Sequence, residues 1–111
     1  MEIQTTQLKH CDVVKVNGRI DSYTAPQLAT AFNDILAARR FKLVCDMSEV
    51  NYMASAGLRV LISVQKTCKR YNRGEIVLTN VPKRVCEAFE LSGFAPLFKF
   101  FEDPLLAVGH F

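Results

Sequence analysis

The sequence contains no tryptophan, only two histidines, and few glycines and prolines, five and four respectively. It also lacks an apolar run of the roughly 18 or more residues that a membrane-spanning helix needs. Near the N-terminus, Glu2, Lys9, Asp12, Lys15 and Arg19 stand where a secretion signal would carry its apolar core. These absences point to a soluble, cytoplasmic protein. His10 falls in an expected turn and His110 is the penultimate residue, so no Ser/His/Asp arrangement is suggested. There is no G-x-x-x-x-G-K-[ST] and no G-x-G-x-x-G, which removes the usual sequence support for phosphate-loop nucleotide binding. Cys11, Cys45, Cys68 and Cys86 are widely dispersed and form no C-x-x-C, the close ligand pair that zinc sites bring. They read as reduced, buried small hydrophobes. No metal, cofactor or intrinsic enzymatic activity is expected.

What is present is a well-balanced globular composition. Half of the 111 residues are hydrophobic, 23% are charged and the formal net charge is +3. Such a chain is too apolar and too weakly charged for disorder. Its length suits one domain, expected over residues 1–111, that needs no disulfide or metal staple.

The periodicity predicts alternating strands and helices. Glu2 to Leu8 alternates weakly and is expected to pair, through a turn at Lys9-His10-Cys11, with a β-branched strand at 12–16 that Asn17-Gly18 closes as a turn. From Thr24, Leu28, Phe32, Ile35 and Leu36 form a helical stripe. Thr24 and Gln27 have capping-box spacing, Pro26 lies in the first turn, and Arg39 and Arg40 sit where cations favour the helix dipole. Phe41–Met47 reads as a buried strand. A second helix is expected near Ser55, with Leu58, Leu61, Ile62 and Cys68 inward and Gly74 at its end. Glu75–Thr79 then reads as another buried strand.

A third helix follows Asn80-Val81-Pro82 through Val85, Cys86, Phe89 and Leu91, capped by Gly93. Leu97–Phe101 is expected as a last strand, and Glu102-Asp103-Pro104 as the start of a short helix. Single helices between strands imply right-handed crossovers in a mostly parallel sheet of four to five strands, with an antiparallel N-terminal hairpin and about four helices, an α/β fold. In such sheets sites gather at the strand C-terminal edge.

That edge is where the sequence becomes specific. Residues 46–58 read DMSEVNYMASAGL, preceded by Gly18-Arg19-Ile20-Asp21 and followed by Leu91-Ser92-Gly93-Phe94. Together these segments resemble the STAS domains of bacterial anti-sigma factor antagonists, in which G-x-(I/L)-D precedes the first helix and D-(L/M)-S-x-V-x-(Y/F)-(M/I)-D-S-(S/A)-G-L the second. The resemblance runs from about residue 12 to about residue 106 and implies the STAS fold.

It further implies a partner-switching protein: the unphosphorylated antagonist binds an anti-sigma factor, often a serine kinase, and frees a sigma factor. Phosphorylation of a serine ends that complex. The serine matching the acceptor is Ser55, and Asp21 matches the family's acidic loop residue. One position departs from the pattern, since the family places Asp directly before the acceptor and this chain has Ala54. The partner surface is expected to comprise Asp21, Ser22, Tyr23, Thr24, Asn51, Tyr52, Met53, Ala54, Ser55, Ala56, Gly57 and Arg59. A serine phosphatase and a second copy of the chain are further expected partners.

Local chemistry offers plainer readings beside these. Ser55 suits a helix N-cap, Asp46 suits loop amides after its strand, Glu49 suits a solvated position, and Asp21 suits a turn. Arg59, Lys66, Lys69, Arg70 and Arg73 lie in a stretch, residues 50–74, without Asp or Glu, which reads as a solvated helix face or, alternatively, a nucleic-acid footprint. Phe89, Phe94, Phe98, Phe100 and Phe101 read mainly as core, with one aromatic of the last strand free for a dimer or second partner contact. The alternative to sigma-factor control is a STAS accessory subunit of a transporter or stress-signalling scaffold, acting without phosphorylation.

Overall fold

Along three neighbouring strands, Val14 and Val16, then Leu43, Cys45 and Met47, then Ile76 and Leu78 turn to one side, while Val44 and Val77 turn to the other. This alternation makes a sheet with two different faces. The computed structural model describes residues 1–70 and 74–111. In chain order it contains β1 (Glu2–Gln7), β2 (Asp12–Ile20), α1 (Ala25–Ala37), β3 (Lys42–Met53), α2 (Ser55–Arg70), β4 (Glu75–Thr79), α3 (Lys83–Ser92), a 3-10 turn (Ala95–Leu97), β5 (Phe100–Phe101) and α4 (Pro104–Gly109). The strands lie side by side in sequence order, β1 antiparallel to β2 and the other neighbouring pairs parallel.

A sheet that advances one strand at each right-handed crossover carries its crossover helices on one face. Accordingly Leu28 and Phe32 of α1, Leu61 and Cys68 of α2, and Val85 and Phe89 of α3 pack in one apolar core with Val14, Leu43 and Ile76. Fully burying each large apolar side chain contributes about 1.5–3 kcal/mol. Among the described residues the opposite face is covered by α4, whose Ala107 packs on Val44, Val77 and Cys11. Phe89 meets Phe98 and Phe100 edge-on, at ring separations of 5.4 and 5.5 Å.

Several local expectations are corrected. β3 does not end near Met47 but runs to Met53, and β2 continues through Asn17-Gly18 to Ile20, so that pair is no turn. The register between β2 and β3 slips twice, between Lys15 and Asn17 and between Gly18 and Arg19. At each slip β3 carries one extra residue, so its inward positions become Met47, Val50 and Met53, three apart. A bulged strand loses the period of two, and on the partner strand Gly18, at φ +113°, stands beside the second slip. The last strand is likewise only Phe100–Phe101; Ala95–Leu97 turns instead, and Leu91 faces solvent.

The Thr24 and Gln27 capping box does not form. The box sits one turn earlier: the Asp21 carboxylate accepts the amides of Tyr23 and Thr24, while Thr24 Oγ1 accepts the amide of Asp21 at 2.8 Å. At the other end of α1, Arg39 N donates to Leu36 O and Arg40 N to Ile35 O, the Schellman pattern. Gly93 fills the left-handed position of the same motif after α3, but Arg39 fills it after α1 at φ +63°, at a cost of about 1–2 kcal/mol for a residue with a Cβ. Arg40 leaves the helix end to bind Asp12 and the Leu8 carbonyl. Gly74 stands directly before β4, and the expected helix end between Arg70 and Gly74 falls on residues 71–73, outside the described residues.

The start of α2 is pressed against the end of β2 through Gly57. A Cβ at that position would stand 2.3 Å from Ile20 Cγ2. Gly57→Ala is therefore expected to destabilise the fold by about 1–3 kcal/mol, the usual cost of overpacking. Chemical denaturation measures this; an unchanged stability would show that the contact is loose.

Candidate functional site

Across the C-terminal ends of β2 and β3, Arg19 pairs with Tyr52 and Ile20 with Met53, and the Ala54 amide extends the ladder by donating to Ile20 O at 2.8 Å. Ile20 and Met53 turn into the core, so Arg19 and Tyr52 turn outward. The Arg19 guanidinium lies 4.0 Å from the Tyr52 ring centroid, and its Nε donates to Asp21 Oδ2 at 3.1 Å. An exposed cation–π contact is worth about 0.5–1 kcal/mol and an exposed ion pair about 0–1. Their effect is to hold a row, Tyr52–Arg19–Asp21, in one arrangement.

Asp21 is fixed from its other side as well. Oδ1 accepts from Tyr23 N at 2.9 Å, Thr24 N at 3.1 Å and Thr24 Oγ1 at 3.3 Å. The Thr24 amide foremost, then the Tyr23 amide and Arg19, hold this carboxyl below its ordinary range against the opposing effect of desolvation. The reading of Asp21 as a turn-former is thus met: its carboxylate ties the turn between β2 and α1 together. Tyr23, at the crest of this turn, is 92% exposed.

Ser55 is the first residue of α2 and is exposed; it is not the N-cap. The capping carbonyl belongs to Ala54, which accepts the amides of Gly57 and Leu58. Among the described residues the amides of Ser55 and Ala56 have no acceptor, as expected for the first turn of a helix. Ala54 performs its structural role entirely through its backbone. A groove of about 340 Å³ opens beside Ser55, floored by Met53 and Leu58 and walled by Ala88, Leu91 and Ser92 of α3. Leu91 is 89% exposed at its rim.

The expected surface therefore assembles from two segments, with a division of labour. Ser22, Tyr23, Asn51, Tyr52, Ser55 and Arg59 are exposed, Asp21, Thr24, Ala54 and Ala56 are half-buried, and Met53 and Gly57 lie beneath as support. Sequence reasoning missed Arg19 and the α3 wall of Leu91 and Ser92. Leu91-Ser92 was in the motif but carried no chemical signal of its own.

The other candidates separate from this surface. Asp46 is buried in β3 and accepts the Ser48 amide at the first bulge, and Glu49 is exposed. Burial pushes the Cys45 thiol up to about 12 and that of Cys68 to about 11, and raises Cys11 and Cys86 too. None is an activated nucleophile, because the reactive form is the thiolate. His10 is exposed, while His110 binds Glu75 at 2.6 Å, on the far side from Ser55's groove. Arg59, Lys66, Lys69 and Arg70 are exposed along α2, and Arg73 lies outside the described residues.

A bulged mixed sheet with three helices on one face, and an exposed serine opening the second of them, defines the STAS class of fold. Two solved structures share it: an anti-sigma-factor antagonist (STAS) domain protein from Planctomyces limnophilus, with TM-score 0.86, 17% identity and coverage of 97% of this chain and 96% of that one; and an anti-sigma factor antagonist from Mycobacterium paratuberculosis, with TM-score 0.82, 25% identity and coverage of 98% and 92%. The family model described as "Mlab, STAS domain" matches residues 3–99, and the chain belongs to the STAS domain family. It is also 33% identical, over 87% of its length and 83% of the relative's, to the anti-sigma-B factor antagonist of Listeria monocytogenes. Among the described residues no helix is long and apolar enough to cross a membrane.

Because the folded pKa of Asp21 lies below its ordinary value of 3.8, the carboxylate's contribution to stability is complete above that value and lost as pH falls through the folded pKa. NMR titration of the Asp21 carboxyl should give a midpoint below 3.8 in the wild type. In Arg19→Ala and Thr24→Ala it should move upward. A midpoint above the ordinary value in the wild type would refute the network.

Proposed function

We propose that this chain is an anti-sigma factor antagonist: it binds an anti-sigma factor through the surface around Ser55, and phosphorylation of Ser55 by that partner, a serine kinase, ends the complex. The observation that carries this reading is an exposed Ser55 at the open first turn of α2, in a chain 33% identical to a protein named anti-sigma-B factor antagonist. The chain supplies recognition, not catalysis. Tyr23, Tyr52 and Leu91 offer partly or fully exposed apolar area, while Asp21 and Arg19 offer fixed charges of opposite sign. An aromatic and apolar centre with charged neighbours is the usual composition of a binding hot spot. Expression in the cytoplasm, where sigma factors act, follows from the same reading.

The switch has a physical basis. A phosphoryl group adds about −1.5 to −2 charges at neutral pH. At the start of α2 it meets two amides without acceptors and the positive end of the helix dipole, so the fold accommodates it. A partner packed over a neutral hydroxyl and the adjoining apolar groove does not. Losing about 2.8 kcal/mol of binding lowers affinity about a hundredfold. Ala54 leaves this geometry intact while removing the carboxylate that the family pattern places before the acceptor.

Ser55→Ala is expected to keep binding to the organism's anti-sigma factor and to lose ATP-dependent modification, read by phosphopeptide mass spectrometry. Ser55→Asp should weaken binding about a hundredfold with its thermal midpoint unchanged. Ala54→Asp should leave stability unchanged and speed modification of Ser55. If the wild type binds no anti-sigma factor, or if Ser55→Asp unfolds the domain, the proposal fails.

A further inference from the structure

The N-terminal end of the sheet, opposite the Ser55 surface, holds a second concavity of about 210 Å³. Its wall brings together residues from three places in the chain: Lys9 and His10 of the β1–β2 turn, Arg39 and Arg40 after α1, and Lys42 at the start of β3. The acidic side chain in the wall is Asp12, which is buried and occupied by the Arg40 guanidinium. Arg40 also donates to the Leu8 and Cys11 carbonyls, so it is part of the scaffold. Lys9, Arg39 and Lys42 have no carboxylate partner among the described residues. Three uncompensated cations thus surround one small hollow in a chain whose whole net charge is +3.

We infer that this hollow is a binding site for a small phosphate-bearing anion, of the size and charge of pyrophosphate. The α1 C-terminus contributes the equivalent of about half a negative charge near the site, too little to offset three full cations. Arg39 occupies the left-handed position that the equivalent motif after α3 gives to glycine. An arginine there does nothing for the helix end, whose carbonyls are satisfied by the backbone amides of Arg39 and Arg40. What it adds is a planar donor fork at the rim of a cationic hollow, suited to bidentate contact with phosphate oxygens. The volume is that of a small anion. The Ser55 surface lies at the other end of β2 and β3, so this inference stands or falls separately from the proposed anti-sigma function.

Arg39→Gly separates binding from folding, because glycine relieves the left-handed backbone as it removes the charge. Titration of ¹⁵N-labelled protein with sodium pyrophosphate at low ionic strength should shift the amides of Lys9, His10, Arg39 and Lys42 saturably. Arg39→Gly and Lys42→Gln should each weaken this binding about tenfold, the scale of one charge-assisted contact. The thermal midpoint of Arg39→Gly should equal or exceed that of the wild type. A parallel arm uses vesicles carrying anionic phospholipid. Absence of saturable shifts, wild-type affinity in both variants, or binding to vesicles without binding to free pyrophosphate would each overturn the proposal.

Discussion

The hydrogen bond from the Ala54 amide to the Ile20 carbonyl, with Gly57 seated against the Ile20 side chain, fixes where α2 begins. Everything on the upper edge of the molecule depends on that junction. It carries the β2–β3 ladder one residue past the end of β3, so the chain turns into α2 directly over the end of β2. Arg19 and Tyr52 are thereby brought opposite each other on the outside while Ile20 and Met53 are buried inside. Asp21, next in the chain after Ile20, then closes the α1 capping box and accepts from Arg19 in the same place. A side chain at position 57 would lift α2 off β2 and dissolve this arrangement without touching any exposed residue.

Much of this was legible in the sequence, and the reasons differ by element. Buried strands such as Glu75–Thr79 announce themselves because burial on both faces demands a continuous apolar run. Gly93 and Asp103-Pro104 marked helix ends correctly because the backbone conformation and the missing proline amide leave little choice. The second half of β3 was illegible for an equally physical reason. Two bulges space its inward residues three apart, so the segment shows neither strand nor helix periodicity. Thr24 was credited with a cap that belongs to Asp21, since capping-box chemistry works at either residue and only the chain path out of β2 decides. Of the twelve residues expected at the surface, Met53 and Gly57 are buried, and the rest lie on the two segments that meet at the ends of β2 and β3; Leu91 enters beside Ser55 from α3, which no local pattern could bring there.

The two ends of the sheet have contrasting electrostatics. Around Ser55, Arg19 is paired with Asp21 and apolar groups are exposed, so the surface suits a protein partner packed over a neutral hydroxyl, while the open first turn of α2 can hold an added phosphate once that partner has left. At the opposite edge, the acid is consumed internally by Arg40 and the remaining cations face an open hollow. The proposed partner surface and the proposed anion site thus lie at opposite ends of β2 and β3, separated by the length of the central strands.

The most direct test of the central claim is hydrogen–deuterium exchange of this chain alone and in complex with its anti-sigma factor. The geometry predicts new protection concentrated at residues 19–24, at 51–58 and at 88–92, with α4 unchanged. Protection confined to the outer face of α2 or to α4, with those three segments exchanging as in the free protein, would contradict it.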